Sequence, residues 1–458
     1  MATLQDQLRQ DAASLQKFVT SVSDHCERRS GTAAYLEPSE RLFSYIMKLA
    51  ESTRSYLTRS LDLQLDLQNL LGLRKDVRIL RAGWRFMHRF VKPALDADTL
   101  RLPSSLVLGL TARFREIPGF SDTEFVICHT DEFNYLNITL SKLKKQANYI
   151  SESVGGPPFP DKLGLIGIPY SQASSIFMNC LIPHEMGHHV FGELHLVRTF
   201  QILIEKELIG RLGESKPQIV ECLAYWAEEI FCDLFAVRLV GFCFCLAFVE
   251  LYDVSMILDE NSAYSPGRSV GLTEFTDYPP DLFRLRQQVS VLKQDRWWPH
   301  VEEIDSHYVR TLEAAGKLTE QDFKMPNLFN IDPGIILAAF FAIVPKISDK
   351  LDEITEGLKI ETDEWQKNDQ DISLYLQNGI VPSSLRSGGL TDDFIHPKPV
   401  SLLNASYKFY LQGLNLLISN IDGAKVDNKE DRVKWAKKVE MWTAKAIEDV
   451  MLMTGGFS

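Results

Sequence analysis

The stretch "IPHEMGHHVFGELH", residues 182–195, holds four histidines and two glutamates in fourteen residues. His184 and His188 stand four apart, with Glu185 directly after the first. On an α-helix, positions i and i+4 share a face, so both rings can offer a nitrogen to one ion about 2.0–2.1 Å away. Glu185 is rotated by about 100° from that line, which sets its carboxylate beside the ion rather than on it. A base that deprotonates a bound water needs that place. Pro183 does not fit a helix interior, because it removes a hydrogen bond and crowds the preceding turn. The helix is therefore expected to kink or restart at Pro183, and either outcome leaves the His184–His188 turn intact.

Two histidines do not complete a metal site, and three sources for a third ligand are open. A third histidine in the pattern HExxHxxGxxH would need Gly at 191 and His at 194, where this chain has Phe191 and Leu194. Gly192 and His195 come one residue late, and one residue swings a helical side chain by about 100°. His195 and His189 are accordingly expected to be satisfied in the interior or to face solvent. The second source is "WAEEIFCDLFA" (226–236), where Glu229 and Asp233 are four apart and project from one face. Glu229 could reach the ion and Asp233 could hold a ligand histidine in one tautomer, while Glu228 is expected to point elsewhere. Acids among so many apolar residues are costly unless paired or metal-bound. Distant histidines, His300, His307 or His396, form the third source, and no local feature recommends them.

HExxH followed by ExxxD on a later helix resembles the gluzincin metallopeptidases, a zincin class in which two histidines and a glutamate bind zinc. "EFTDYPPDLFRLRQQV" (274–289) is also similar to the THPPxxxRIxxL segment of HtpX-type and CAAX-prenyl-protease-type peptidases. Pro279, Pro280, Arg284 and Leu285 match that segment, Thr276 comes one residue before its threonine position, and Tyr278 stands where those families have histidine. The resemblance covers roughly 160–290. It implies a zinc cofactor held by His184, His188 and Glu229, with Asp233 behind a ligand histidine and Glu185 as the general base of peptide hydrolysis. Tyr278 would take over the oxyanion role of the missing histidine, since a phenol can donate a hydrogen bond. Arg284 would either assist it or serve as a structural ion pair. Two other functions stay open: a catalytically idle zincin-like module for binding or regulation, and a zinc hydrolase acting on a non-peptide amide or ester.

The strand-like run "LGLIGIPY" (163–170) precedes the motif, where zincins often place an edge strand that pairs with extended substrate. Its glycines would let a second backbone approach. A plain core strand is the competing expectation.

The whole chain bounds these readings. Its 458 residues are 45% hydrophobic and 24% charged, as in ordinary globular proteins. A net charge of −12 argues against nucleic acid or an anionic membrane as the main partner. The longest apolar runs, 239–249 and 334–344, are about half of the roughly 20 residues a membrane helix needs. Seven cysteines without a CxxC pair, and a polar start without a secretory pattern, fit reduced thiols in a cytoplasmic protein. A peptide or protein substrate is the expected partner, with room for a regulatory protein.

The expected fold class is α+β and predominantly helical, with a zincin-like core, a small sheet and flanking helical lobes. Its parts would be an N-terminal helical region (1–98), the metallopeptidase core (99–300) and a C-terminal helical region (301–458). Ser39 is a candidate helix cap, "SSLVLGL" (104–110) and "TEFVICHTDEFNYLNITL" (123–140) suggest short strands, and a single helix is expected over about 217–250. Asp332 and Pro333 should start a helix, and residues 379–399 should form a loop.

Overall fold

The computed structural model describes residues 2–29, 37–62, 66–95, 104–130, 136–137, 140–169, 172, 174–258, 279–319, 331–358, 362–383, 385–386, 394–421 and 424–453. The chain divides into two compact units, Met1–Leu102 with Asp122–Ser171, and Pro103–Ser121 with Gln172–Ser458.

In the first unit, three long helices, α1 (Ala2–Arg29), α2 (Glu37–Asp62) and α3 (Leu67–Leu95), share one apolar core with the strands. Helix α2 is already formed at Glu37, so Ser39 lies inside its first turn and is not the cap. Strand β1 (Glu124–Thr130) runs parallel to β3 (Leu163–Pro169), in register from Glu124↔Leu163 to Thr130↔Pro169. Between them come the short β2 (Leu136–Asn137) and α5 (Leu140–Val154), and a helix is the usual connection where parallel strands are joined. β2 pairs antiparallel with β3 at Gly167 and Ile166, which makes the sheet order β1-β3-β2.

Strand β3 is thus the middle strand and all seven of its residues are buried. The edge-strand expectation is corrected to the plain core reading. Its Gly164 makes room for the Phe125 ring, since a Cβ there would lie 2.3 Å from Cδ1 of that ring. The glycine serves packing inside the sheet. The sheet also groups with the N-terminal helices, because β1 packs against α2 and α3 and strand pairing carries β3 with it.

The second unit opens with α4 (Ser104–Phe114), a helix where strand was expected. Leu106, Val107, Leu110 and Phe114 are all buried, and their spacing of one, three and four residues lines one helical face. The helices that follow are α6 (Ile182–Glu193), α7 (Leu196–Leu212), α8 (Pro217–Val240), α9 (Phe242–Leu258), α10 (Asp281–Gln294), α11 (Trp298–Glu302) and α12 (His307–Gly316). The unit ends with α13 (Pro333–Thr355), α14 (Thr362–Gln377), α15 (Pro399–Gln412), α16 (Leu414–Ser419) and α17 (Lys429–Met453). Asp332 caps α13 as expected, its Oδ1 accepting from the Gly334 amide at 2.9 Å, with Pro333 in the first turn. The expected loop at 379–399 contains a two-stranded ladder, β4 (Leu385–Arg386) with β5 (Phe394–Ile395).

Helix α8 is the axis of this unit, and α6, α7, α10 and α13 pack around it. Every residue from Glu229 to Val240 is buried, the condition of a helix enclosed on all sides. The expected single helix over 217–250 is broken at Gly241, whose φ of +75 and ψ of −151 suit only glycine. Asn404 from α15 bridges the break. Its Nδ2 donates to the Val240 carbonyl at 2.8 Å and its Oδ1 accepts from the Cys243 amide at 3.0 Å. No helix among the described residues is long and apolar enough to cross a membrane. The six cysteines whose side chains are described are all free and buried.

Candidate metal centre

A short 3-10 turn, Met178–Leu181, leads into α6, and Pro183 falls in the first turn of that helix. The helix therefore restarts at the proline, where a missing N–H costs nothing. Its two histidines face α8. Pairing of His184 with Asp233 and of His188 with Glu228 makes α6 and α8 antiparallel at the site.

His184 Nε2 lies 3.4 Å from Glu229 Oε2, and His188 Nε2 lies 3.5 Å from Glu229 Oε1. Ligand atoms at about 2.0–2.1 Å from a tetrahedral zinc are separated by about 3.3–3.4 Å, the edge of that tetrahedron. The three residues form the one group of potential metal ligands among the described residues. Both rings turn their other nitrogen to a carboxylate. His184 Nδ1 is 2.9 Å from Asp233 Oδ1 and His188 Nδ1 is 2.8 Å from Glu228 Oε1. The ring planes stand at 85° with centroids 4.9 Å apart, so the two Nε2 atoms converge rather than stack.

Arg284, from α10, reaches the same acids. Its Nε and Nη2 donate to Asp233 Oδ2 and Oδ1, each at 2.8 Å, and Nη2 lies 3.2 Å from Glu229 Oε2. The guanidinium also sits over the Phe248 ring at 4.8 Å. These contacts favour the anchoring role of Arg284 over an oxyanion role, because both donors named are spent on carboxylates. Fully burying a large apolar side chain contributes roughly 1.5–3 kcal/mol, whereas an unpaired buried ion costs several. A helix as apolar as α8 accommodates Asp233 and Glu229 through these partners.

The electrostatics follow from burial and pairing. Burial alone would lower the His184 pKa, but hydrogen bonds and charge from Asp233 and Glu229 outweigh it and push it up to about 10. For His188 the same burial is outweighed by Glu228 and Glu229, and the direction is again upward. Burial would raise Asp233 and Glu229, yet Arg284 and the histidines hold both below the usual carboxylate range. Buried acids and buried cations therefore hold one another in their charged forms. Glu229 Oε2 is buried and faces His184 Nε2 at 3.4 Å and Arg284 Nη2 at 3.2 Å. Two imidazoles and one carboxylate are a donor set that suits zinc, so these residues fit the implied ion.

Glu185 is buried on the same helix, close enough to His188 and Cys232 to act on both electrostatically. His195 is exposed, with a φ of +53, at the break between α6 and α7. His189 points the other way into the core, its ring 6.1 Å from those of Phe114 and Phe120. His300 packs on Trp365 at 4.5 Å, and His396 is exposed. Neither belongs to the ligand group, nor does His307. Thr276 and Tyr278 lie outside the described residues.

One expectation is overturned. Glu228 does not point elsewhere but holds His188, because in antiparallel helices a histidine one turn further along α6 meets α8 about one turn earlier. That offset depends on the direction in which the two helices cross, which no single segment states. Phe244, whose ring is parallel to His184 at 6.4 Å, was hidden as well, since it follows the unforeseen break at Gly241. Compared with known proteins, the chain matches no family model, no curated protein and no solved structure.

Proposed function

We propose that this chain is a zinc-dependent metallopeptidase of the gluzincin type. The observation that supports it best is the convergence of His184 Nε2, His188 Nε2 and the Glu229 carboxylate at 3.4 and 3.5 Å, with Asp233 and Glu228 behind the rings. Zinc bound there would supply a Lewis acid that acidifies water and polarises a carbonyl.

The chain's own residues do the rest. Asp233 and Glu228 fix the ring orientations, and Arg284 keeps Asp233 and Glu229 in place. Glu185 takes a proton from the attacking water and passes it to the leaving amine. Tyr278 donates a hydrogen bond to the developing oxyanion, the part of the proposal that rests on sequence alone. A peptide or protein substrate and a reducing, cytoplasmic setting belong to the same reading, and the free, buried thiols favour that setting.

The test is metal content together with cleavage of a broad peptide library by the wild type and by Glu185→Gln. About one zinc per chain in both proteins, with cleavage by the wild type only, is expected. Equal cleavage by zinc-loaded Glu185→Gln would sink the peptidase reading. Zinc in both and cleavage in neither would favour an idle binding module.

A further inference from the structure

We propose that Gly187 is a positioning residue: the absence of a side chain there sets how closely α6 and α8 approach, and thereby the span of the three metal ligands. The inference rests on the metal-centre reading above.

Gly187 lies on α6 between Glu185 and His188, and opposite it on α8 is Cys232, between Glu229 and Asp233. A Cβ built on Gly187 would fall 2.9 Å from Cys232 Cα, 3.2 Å from its Cβ and 3.3 Å from its Sγ. The nearest of these is a backbone atom, so no rotamer change can relieve the clash. Ordinary contact begins at 3.4 Å, and a methyl group would therefore drive the helices apart by roughly half an ångström.

Every ligand contact crosses this interface. His184 and His188 flank Gly187 on one side, and Glu228, Glu229 and Asp233 flank Cys232 on the other. The His184–Glu229 and His188–Glu229 separations of 3.4 and 3.5 Å already sit at the upper edge of what a tetrahedral ion spans. Functional geometry generally tolerates about 0.5 Å of error, so the methyl consumes that whole margin. Glycine in a helix interior is unfavourable, and a close helix approach is the reason to keep one. Gly192, on the same helix, supplies the contrast: a Cβ there would meet nothing within 4 Å.

The experiment compares wild type, Gly187→Ala and Gly192→Ala in the full chain. Zinc affinity is measured by chelator competition, Co(II) substitution is read by its visible spectrum, and folding is followed by circular dichroism. Expected is a loss of zinc affinity of at least about tenfold in Gly187→Ala, the scale of other changes to supporting residues. A changed cobalt spectrum accompanies it, while Gly192→Ala stays at the wild-type values. A folded Gly187→Ala with unchanged affinity and spectrum would overturn the inference. Should Gly187→Ala be unfolded without metal, Co(II) is added to saturation: refolding with an altered cobalt spectrum agrees with the inference, whereas refolding with the wild-type spectrum, or no refolding, overturns it. A wild type that binds no zinc removes the metal reading and this inference together, whereas zinc-bound wild type matched by Gly187→Ala removes only the inference.

Discussion

Glu228 Oε1 sits 2.8 Å from His188 Nδ1 and so turns the opposite ring nitrogen toward Glu229. A ligand histidine held in this way has a fixed tautomer and a more basic metal-facing nitrogen. Glu228→Ala should weaken zinc binding by about 10–100-fold, as read by chelator competition, with melting of the metal-free protein changed far less. Unaltered affinity would show that the contact is incidental.

The third ligand can be separated from the near miss in sequence. Glu229→Ala removes a donor from the group, while His195→Ala alters an exposed side chain at a helix break. Metal analysis after dialysis should find the first protein empty and the second loaded like wild type. Zinc loss from His195→Ala would instead revive the three-histidine arrangement.

Arg284 is the cation that makes a fully buried Asp233 tolerable. Arg284→Met strands that charge, and removing one partner of a buried pair costs about 3–5 kcal/mol. Urea denaturation should show a loss of this size, and Arg284→Met combined with Asp233→Leu should recover part of it. A single variant as stable as wild type would mean that Asp233 is neutral.

Alkaline pH should destabilise the fold. Burial raises the Cys26 thiol from 9.0 to about 12 and the Tyr410 phenol from 10.0 to about 12, and it pushes Cys232, Cys243 and Cys245 well up. Above pH 9 the unfolded chain releases these protons while the folded chain keeps them. The stabilisation is therefore complete below the unfolded values and is lost as pH rises through the folded ones, at roughly 1.4 kcal/mol per pH unit for each such group. Denaturant midpoints measured at pH 8 and pH 10.5 check this, and equal midpoints would contradict it.

The break at Gly241 gives a fifth expectation. Its backbone angles suit only glycine, and a Cβ there would lie 3.0 Å from the Asn404 amide. Gly241→Ala should lower stability by about 1–3 kcal/mol in thermal or urea unfolding; a neutral result would mean that the chain can pass from α8 to α9 by another route.

The pairing of a four-residue histidine spacing with a four-residue acid spacing was legible in the sequence, because helical periodicity fixes which side chains share a face. So were Asp332 as a cap and the strand at 163–169. The position of Glu228 depended on the direction in which two helices cross, which no single segment states. Ser104–Phe114 has β-branched and apolar content that reads as strand, and tertiary burial on a 3.6-residue period overrode it. The split of the expected long helix turned on one glycine whose reason, Asn404, lies 163 residues further along the chain.

Gly241 turns the polypeptide so that Phe244 comes back over the ring of His184 and Phe248 beneath the guanidinium of Arg284. One continuous ribbon, 228–248, therefore supplies acid, orienting carboxylates and aromatic lining to a single spot. The histidines stay on α6, so a lengthwise slip of α8 would draw acid, orienting carboxylates and aromatic lining away from both rings at once.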